Sequence, residues 1–140
     1  MSRVFWDTNL FIYLLEAHGM HSDRVVQLRV RMLERGDILL TSTLTLGEVL
    51  VKPLEEQNEE LRARYETALT SDVVLIPFDE DAARIYAQIR RDRSLRAPDA
   101  IQLACAGHAR VDLFITNDSQ LTGKTVPGIQ FITTLDRAPL

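Results

Sequence analysis

Short apolar runs alternate with longer helical segments along the whole chain, and this alternation limits the folds open to it. Residues 4–6 form the first apolar run, and residues 10–15 continue as an apolar segment of helical length. Strands that alternate with helices are typical of βαβ units, in which helices connect parallel strands. The sequence therefore predicts an α/β fold built around a central parallel sheet.

Further apolar runs predict the other strands, and the segments between them predict the helices. We expect strands at residues 38–40, 73–76, 113–115 and 130–132. We expect helices at residues 22–35, 43–53, 55–69, 79–89 and 98–109.

Val26, Val30 and Leu33 have i, i+4, i+7 spacing, which predicts that they form the buried stripe of the second helix. Pro53 is expected to limit the end of its helix, because proline has no N–H to donate.

Length and composition indicate an ordinary globular protein. With 140 residues, 46% hydrophobic and 26% charged, the chain is expected to form a single domain over residues 1–140. No apolar stretch approaches the roughly 18 residues that a membrane-spanning helix needs, and the first residues do not resemble a signal peptide. Cys105 is the single cysteine, so no internal disulfide forms, which fits a reducing cytoplasm.

Four acidic residues lie where an α/β fold would bring them together. Asp7 directly follows the first predicted strand, and Asp118 follows the fourth after two polar residues. Ligands bind beyond the carboxyl ends of the strands in open parallel sheets. Asp99 begins a helix whose first turn can point at the same edge, and Glu48 lies about a turn and a half into another helix. We expect the four carboxylates to converge on one site.

A cluster of carboxylates indicates a divalent cation and hydrolysis of a phosphodiester. Mg²⁺ and Mn²⁺ prefer carboxylate oxygen and water, and bound cations offset the repulsion of like charges. Ions about 3.5–4 Å apart can activate water and stabilise a leaving oxygen. The sequence has no HExxH, P-loop, GxGxxG or CxxC motif. The three histidines are interpreted as solvated side chains.

Each acid also has a purely structural interpretation. Asp7 and Asp99 could cap helices, Asp118 could stabilise a turn, and Thr45-x-x-Glu48 matches a capping box. The net charge of −4 argues against a nucleic-acid partner at first sight. Without the four acids, however, the remaining 16 acidic residues balance the 16 basic ones. Cations bound in one cleft would therefore neutralise the whole excess.

Four motifs together resemble the PIN-domain ribonucleases, in particular the VapC toxins of bacterial toxin–antitoxin pairs. The resemblance extends from residue 3 to about residue 133. It includes FWDTN around Asp7, the segment 43–49 around Glu48, PDAIQLA from Pro98, and FITND ending at Asp118.

The resemblance implies a three-layer α/β/α sandwich with a central parallel sheet of four to five strands. It implies that Asp7, Glu48, Asp99 and Asp118 are catalytic and hold Mg²⁺ or Mn²⁺ for RNA cleavage, with Asn9, Thr116 and Asn117 orienting them. Many relatives carry a further acid where this chain has Gln120. The second metal is therefore expected to be held less firmly.

The resemblance also implies partners. It predicts a cognate antitoxin protein and a homodimer, for which the apolar faces near Leu46, Leu50 and Leu54 are candidates. Arg96 closes a basic run before Asp99 and is expected to bind the phosphate of an RNA substrate.

Three other functions stay open at this point. The chain could be a non-catalytic binding module with this fold, or a nuclease with a housekeeping role in RNA processing. A phosphatase of the haloacid dehalogenase type would need a second Asp two residues after Asp7, where Asn9 stands.

Overall fold

The computed structural model describes all 140 residues and contains five strands, six α-helices and two short 3₁₀ turns. The strands are β1 (Arg3–Trp6), β2 (Ile38–Ser42), β3 (Val74–Ile76), β4 (Leu113–Thr116) and β5 (Phe131–Thr134). The helices are α1 (Thr8–Leu15), α2 (Met20–Arg35), α3 (Thr43–Glu55), α4 (Glu59–Thr70), α5 (Glu80–Ile89) and α6 (Ala97–Ala109). The 3₁₀ turns are Ser119–Gly123 and Leu135–Arg137.

All five strands are parallel and form one sheet in the order β3-β2-β1-β4-β5. The chain moves outward from β1 through β2 to β3, and then crosses back to place β4 on the other side of β1. The strand order therefore reverses between β1 and β4. Open α/β sheets bind ligands in the crevice that opens at such a reversal.

The central strand β1 shows how the sheet separates two hydrophobic layers. Its side chains alternate, so Val4 and Trp6 face a core with α1, α2, α3 and α4, whereas Phe5 faces a core with α5 and α6. Phe5 stacks on Phe114 of β4, with ring centroids 5.1 Å apart. Helices thus cover both faces of a parallel sheet, which confirms the predicted three-layer α/β/α sandwich.

The predicted buried face of α2 is wrong. Val26 and Val30 are each 47% exposed and Leu33 is 61% exposed, while Val25, Leu28 and Met32 are buried. Both sets have helical spacing, so periodicity alone could not choose between them. The helix turns the second set towards the sheet, where Val25 and Met32 pack into the same core as Trp6.

The boundary between α3 and α4 also differs from the prediction. α3 continues past Pro53 and ends at Glu55, and α4 begins at Glu59 instead of residue 55. Gln57 adopts a positive φ of 53°, and the side chain of Asn58 caps α4 by accepting from Leu61 N. A proline near the end of a helix removes one hydrogen bond without preventing the final turn. None of the six α-helices combines the length and the apolar composition of a membrane-spanning segment.

Candidate functional site

The four predicted acids lie around one cleft at the carboxyl ends of the central strands. Asp7 follows β1, Glu48 lies in α3, Asp99 lies in the first turn of α6, and Asp118 follows β4. All four line a cleft of about 390 Å³. The other lining residues are Thr8, Asn9, Ile12, Arg96, Pro98 and Gln102. The structure therefore brings together residues that are up to 111 positions apart in the sequence, counting from Asp7 to Asp118.

Thr116 connects the acids of the two central strands. Its hydroxyl donates to Asp7 Oδ2 at 2.9 Å and accepts from the backbone N–H of Asp118 at 3.0 Å. Asp7 Oδ1 accepts from Thr8 N at 2.8 Å, and Asp118 Oδ1 accepts from Gln120 N at 2.9 Å. Asp7 and Asp118 thus cap the segments that follow them, as their structural interpretation predicts, and they also line the cleft.

Glu48 is held by a hydroxyl and has no capping role. The N-cap of α3 is Ser42, whose side chain accepts from Thr45 N, so the capping-box interpretation of Glu48 is wrong. Glu48 Oε1 instead accepts from the Thr8 hydroxyl at 2.7 Å. Thr8 lies between Asp7 and Asn9 in the sequence and was not predicted to contribute to the site.

Asp99 forms an ion pair with Arg96. The N-cap of α6 is Arg96, and Asp99 occupies the third helical position, so Asp99 is not the N-cap that its sequence context also allowed. Arg96 Nε donates to Asp99 Oδ2 at 3.1 Å. The Asp99 side chain is only 15% exposed, whereas the Arg96 side chain is 77% exposed. The guanidinium therefore lies at the mouth of the cleft, above a largely buried carboxylate.

The two predicted asparagines differ in position. Asn9 lines the cleft beside Asp7. Asn117 is not among the lining residues, and its side-chain amide donates to the Tyr13 hydroxyl at 2.9 Å. The structure therefore brings Asn9 and Thr116 close to the acids, but it directs the Asn117 side chain to α1.

The sequence motifs did not identify one buried polar residue beneath the cleft. Gln102 is 2% exposed and contacts the hydroxyls of Thr8, Thr45 and Ser42. It stands in α6 between Ile101 and the run Leu103–Ala106, which is apolar throughout. Because buried polar groups require hydrogen-bond partners, a lone glutamine in such a run could have indicated a polar network.

The electrostatics of the cleft favour a cation. Burial raises the pKa of Asp7, and the neighbouring charges of Asp99 and Glu48 also raise it, whereas the hydrogen bonds from Thr116 and from Thr8 N oppose the change. A bound cation would reverse this tendency, because it stabilises the ionised carboxylates.

The donor atoms suit a hard divalent ion. Four carboxylates line the cleft, and neither histidine nor cysteine does. Oxygen ligands of this kind are typical of Mg²⁺ and Mn²⁺. No three acidic, histidine or cysteine side chains are grouped closely enough to hold one ion in the observed arrangement. Arg96 engages one acid and Thr8 another, so closure around an ion requires side-chain rotation, above all release of Asp99 by Arg96.

Two other clefts are present, one beside this site and one at the opposite ends of the strands. One of about 660 Å³ adjoins it and shares Arg96, Asp99 and Asp118 as lining residues. Another of about 580 Å³ lies near the amino ends of β4 and β5, where Asp112 is the single acidic residue. Asp112 accepts from the backbone of Arg3 at 2.8 Å, which explains this acid structurally. The acid-lined cleft is therefore the stronger candidate for catalysis.

Comparison with known proteins gives matches over the part of the chain that contains the cleft. A family model described as PIN domain matches residues 4–124, a range that includes all four acids. A toxin–antitoxin complex from Klebsiella pneumoniae contains a chain that is 27% identical, with a TM-score of 0.66, over 90% of this chain and 94% of that chain.

Two further solved structures show the same fold at lower identity. In VapBC2 from Rickettsia felis, bound to a promoter DNA fragment, the matched chain is 14% identical with a TM-score of 0.74, over 94% of this chain and 98% of that chain. VapC20 from Mycobacterium tuberculosis, described as a toxin that cleaves the sarcin-ricin loop, is 16% identical with a TM-score of 0.65, over 87% and 96%. No curated protein gave a significant match.

Proposed function

The chain belongs to the PIN-domain family, and from this membership and the geometry of the cleft we propose that it is a metal-dependent endoribonuclease. The observation that carries the proposal is the set of Asp7, Glu48, Asp99 and Asp118 around one cleft without a histidine or cysteine. Mg²⁺ or Mn²⁺ bound there would activate water and stabilise the charge on the phosphate.

The chain's own residues would bind and orient the reactants. Asp7, Glu48, Asp99 and Asp118 would hold the cation, and Thr116 fixes the Asp7 carboxylate through its hydroxyl. Arg96 would release Asp99 when metal binds and turn its exposed guanidinium to a phosphate oxygen. Arginine suits this task because its planar fork of donors matches a phosphate. Asn9 would orient bound water at the same edge.

Cleavage of RNA by the purified chain tests this proposal. We expect cleavage in Mg²⁺ or Mn²⁺ and no cleavage in EDTA. The cleavage rate of Asp7→Asn should be at least about 100-fold lower than that of the wild type, by analogy with the loss of other groups that stabilise a transition state. Asp81→Asn is the matched control, because Asp81 is exposed and pairs with Arg84 on α5. Equal cleavage by Asp7→Asn and wild type would refute the proposal.

We further propose that this nuclease is the toxin of a toxin–antitoxin pair. The support is its similarity to a chain of the Klebsiella pneumoniae toxin–antitoxin complex and to VapBC proteins. An antitoxin segment could occupy the acidic cleft and present an arginine to the carboxylates in place of the metal and substrate. Such an ion pair would replace the one that Arg96 makes with Asp99.

Expression in cells tests the toxin role separately from the chemistry. Expression of the wild-type chain alone should stop growth, and Asp7→Asn should not. Co-expression with the adjacent reading frame should restore growth, and the two proteins should purify together. Normal growth with the wild-type chain, at levels where its nuclease activity is measurable in extracts, would refute toxicity while leaving the nuclease proposal intact.

A further inference from the structure

A buried hydrogen-bond network connects the interior of the protein to Glu48. The side-chain amide of Gln102 donates to Thr8 Oγ1 at 2.9 Å and to Thr45 Oγ1 at 2.7 Å. Its carbonyl Oε1 accepts from Ser42 Oγ at 2.5 Å. Thr45, Ser42 and Gln102 are almost completely buried. Each hydroxyl has one proton, so counting protons determines which way every bond points.

The count begins at Thr41, which is fully buried. Its hydroxyl lies 2.8 Å from the backbone carbonyl oxygen of Trp6 and 2.8 Å from Thr45 Oγ1. The Thr41 hydroxyl is the donor in both contacts, so Thr45 Oγ1 accepts from Thr41 and also from the Gln102 amide. The Thr45 proton is therefore left for Thr8, the remaining oxygen in contact with its hydroxyl.

The same reasoning fixes the proton of Thr8. Glu48 Oε1 lies 2.7 Å from the Thr8 hydroxyl, and an ionised carboxylate can only accept. Thr8 therefore donates to Glu48. The Thr8 oxygen accepts from the Gln102 amide at 2.9 Å and from the Thr45 hydroxyl at 3.1 Å, so both of its acceptor positions are filled.

The opposite orientation of the Gln102 amide does not satisfy the network. Its oxygen would then face the Thr8 oxygen and compete with Glu48 for the single Thr8 proton. Either the contact of 2.7 Å between Thr8 and Glu48 or that of 2.9 Å between Thr8 and Gln102 would lack a proton. A short contact between the lone pairs of two oxygens is costly. The observed orientation is thus the one that the surrounding hydroxyls require.

We propose that Gln102 and Thr8 are positioning residues that set the direction of a donor towards Glu48. Gln102 occupies the Thr8 oxygen from below, so the Thr8 proton points at Oε1 and holds the carboxylate over the cleft. Glu48 Oε2 has no donor within the protein and is the oxygen free to bind a cation. This inference rests on the proposed role of Glu48 as a metal ligand. Both residues line the cleft, and we assign them the positioning of Glu48 instead of direct binding of the metal.

Mn²⁺ titration of the intact chain by calorimetry tests the proposal. Thr8→Val should weaken Mn²⁺ binding by about 10-fold, the lower end of the loss seen when a metal ligand loses its hydrogen-bond partner. Gln102→Met should have a similar effect. The double variant should be no weaker than either single variant, because both remove the same directed proton. Thr8→Ser should bind Mn²⁺ like the wild type, since it keeps the hydroxyl.

Side-chain amide signals in NMR spectra provide a second readout without metal. Both Gln102 amide protons should exchange slowly with solvent in the wild type. Thr8→Val should release one of them, and its exchange should accelerate while the other stays protected. This result would not follow if Gln102 only filled space in the core.

The outcomes separate this inference from the proposed function. Wild-type affinity for Mn²⁺ in Thr8→Val, together with lost binding in Glu48→Gln, would overturn the positioning role alone. Additive losses in the double variant would also overturn it, because independent effects exclude a shared proton. A wild-type chain that binds no Mn²⁺ would overturn both this inference and the metal-dependent function.

Discussion

At the scale of single residues, Asp7 combines a structural bond with an electrostatic cost. Its two oxygens accept from Thr8 N and from the Thr116 hydroxyl, which holds the carboxylate in place. Burial nevertheless raises its pKa, and the charges of Asp99 and Glu48 act in the same direction. Residues arranged for function often reduce the stability of the folded state in this way.

We therefore predict that Asp7→Asn stabilises the metal-free protein at neutral pH. The pKa of Asp7 is raised in the folded state, so its charge opposes folding above that value. This destabilisation disappears below the ordinary pKa of 3.8, because the carboxyl is then protonated in both the folded and the unfolded state. The Tm of the variant should exceed that of the wild type at pH 7 in EDTA, and the difference should shrink as the pH falls towards 3.8. A lower Tm at pH 7, or a difference independent of pH, would contradict this prediction.

Thr8 and Gln102 illustrate what a residue-by-residue interpretation of the sequence could not supply. Asp7 and Asp118 were recognisable because they follow apolar strands, whereas Glu48 and Asp99 were recognisable only as members of the set of four acids. Thr8 was hidden beside Asp7, since a threonine at the start of a helix is common. Gln102 acts through three hydroxyls from other parts of the chain, and such contacts depend on how α6 packs against α3 and β2.

At the scale of elements, a close contact between α6 and the turn before β5 fixes one side of the fold. Gly128 has a φ of 90°, and a Cβ added there would lie 2.0 Å from the Gly107 carbonyl oxygen. A Cβ at Gly107 would in turn lie 2.4 Å from the Pro127 carbonyl oxygen. Both glycines allow the two backbones to meet at a distance that no other residue permits. α6 also carries Asp99, so this contact helps to place the cleft.

Gly128→Ala should destabilise the protein by about 2–4 kcal/mol, which combines strain at positive φ with overpacking. Gly47→Ala on α3 is the matched control, because no atom lies within 4 Å of its added Cβ. That change should stabilise the protein by about 0.5–1 kcal/mol, since alanine favours a helix interior. Urea unfolding of both variants gives the free energies. Equal stability of Gly128→Ala and wild type would show that the contact is not restrictive.

The elements also show why strands were easier to predict than helix faces. The strands are short apolar runs between polar residues, and residues 38–40 and 113–115 both fall within observed strands. α2 has apolar residues on two sides, so either Val25 or Val26 could have faced the core. The choice depends on how the helix packs against α1 and the sheet, which periodicity does not contain. The same limit applies to Pro53, whose helix continues for two more residues.

At the scale of the whole molecule, two apolar surfaces are left uncovered by the fold. One is the stripe of Val26, Val30 and Leu33 on α2. The other is the end of α3, where Leu54 is 58% exposed beside Val51. Leu46 and Leu50 of the predicted dimer face are only half-buried and already pack against the core. Exposed apolar patches of this kind are typical of surfaces that bind other proteins.

We predict a homodimer formed through the α3 surface around Leu54. Light scattering coupled to size-exclusion chromatography should give twice the mass of one chain for the wild type, and a single-chain mass for Leu54→Glu. A charge buried in an interface without an opposite charge weakens the dimer by several kcal/mol.

Leu33→Glu is the matched control, because it makes the same change at a residue that is 61% exposed on α2. The control should stay dimeric. Both variants should remain folded, with Tm values within a few degrees of the wild type, since neither side chain supports the core. A wild type that is monomeric at every concentration would refute the dimer, whereas a monomeric Leu33→Glu beside a dimeric Leu54→Glu would move the interface to α2.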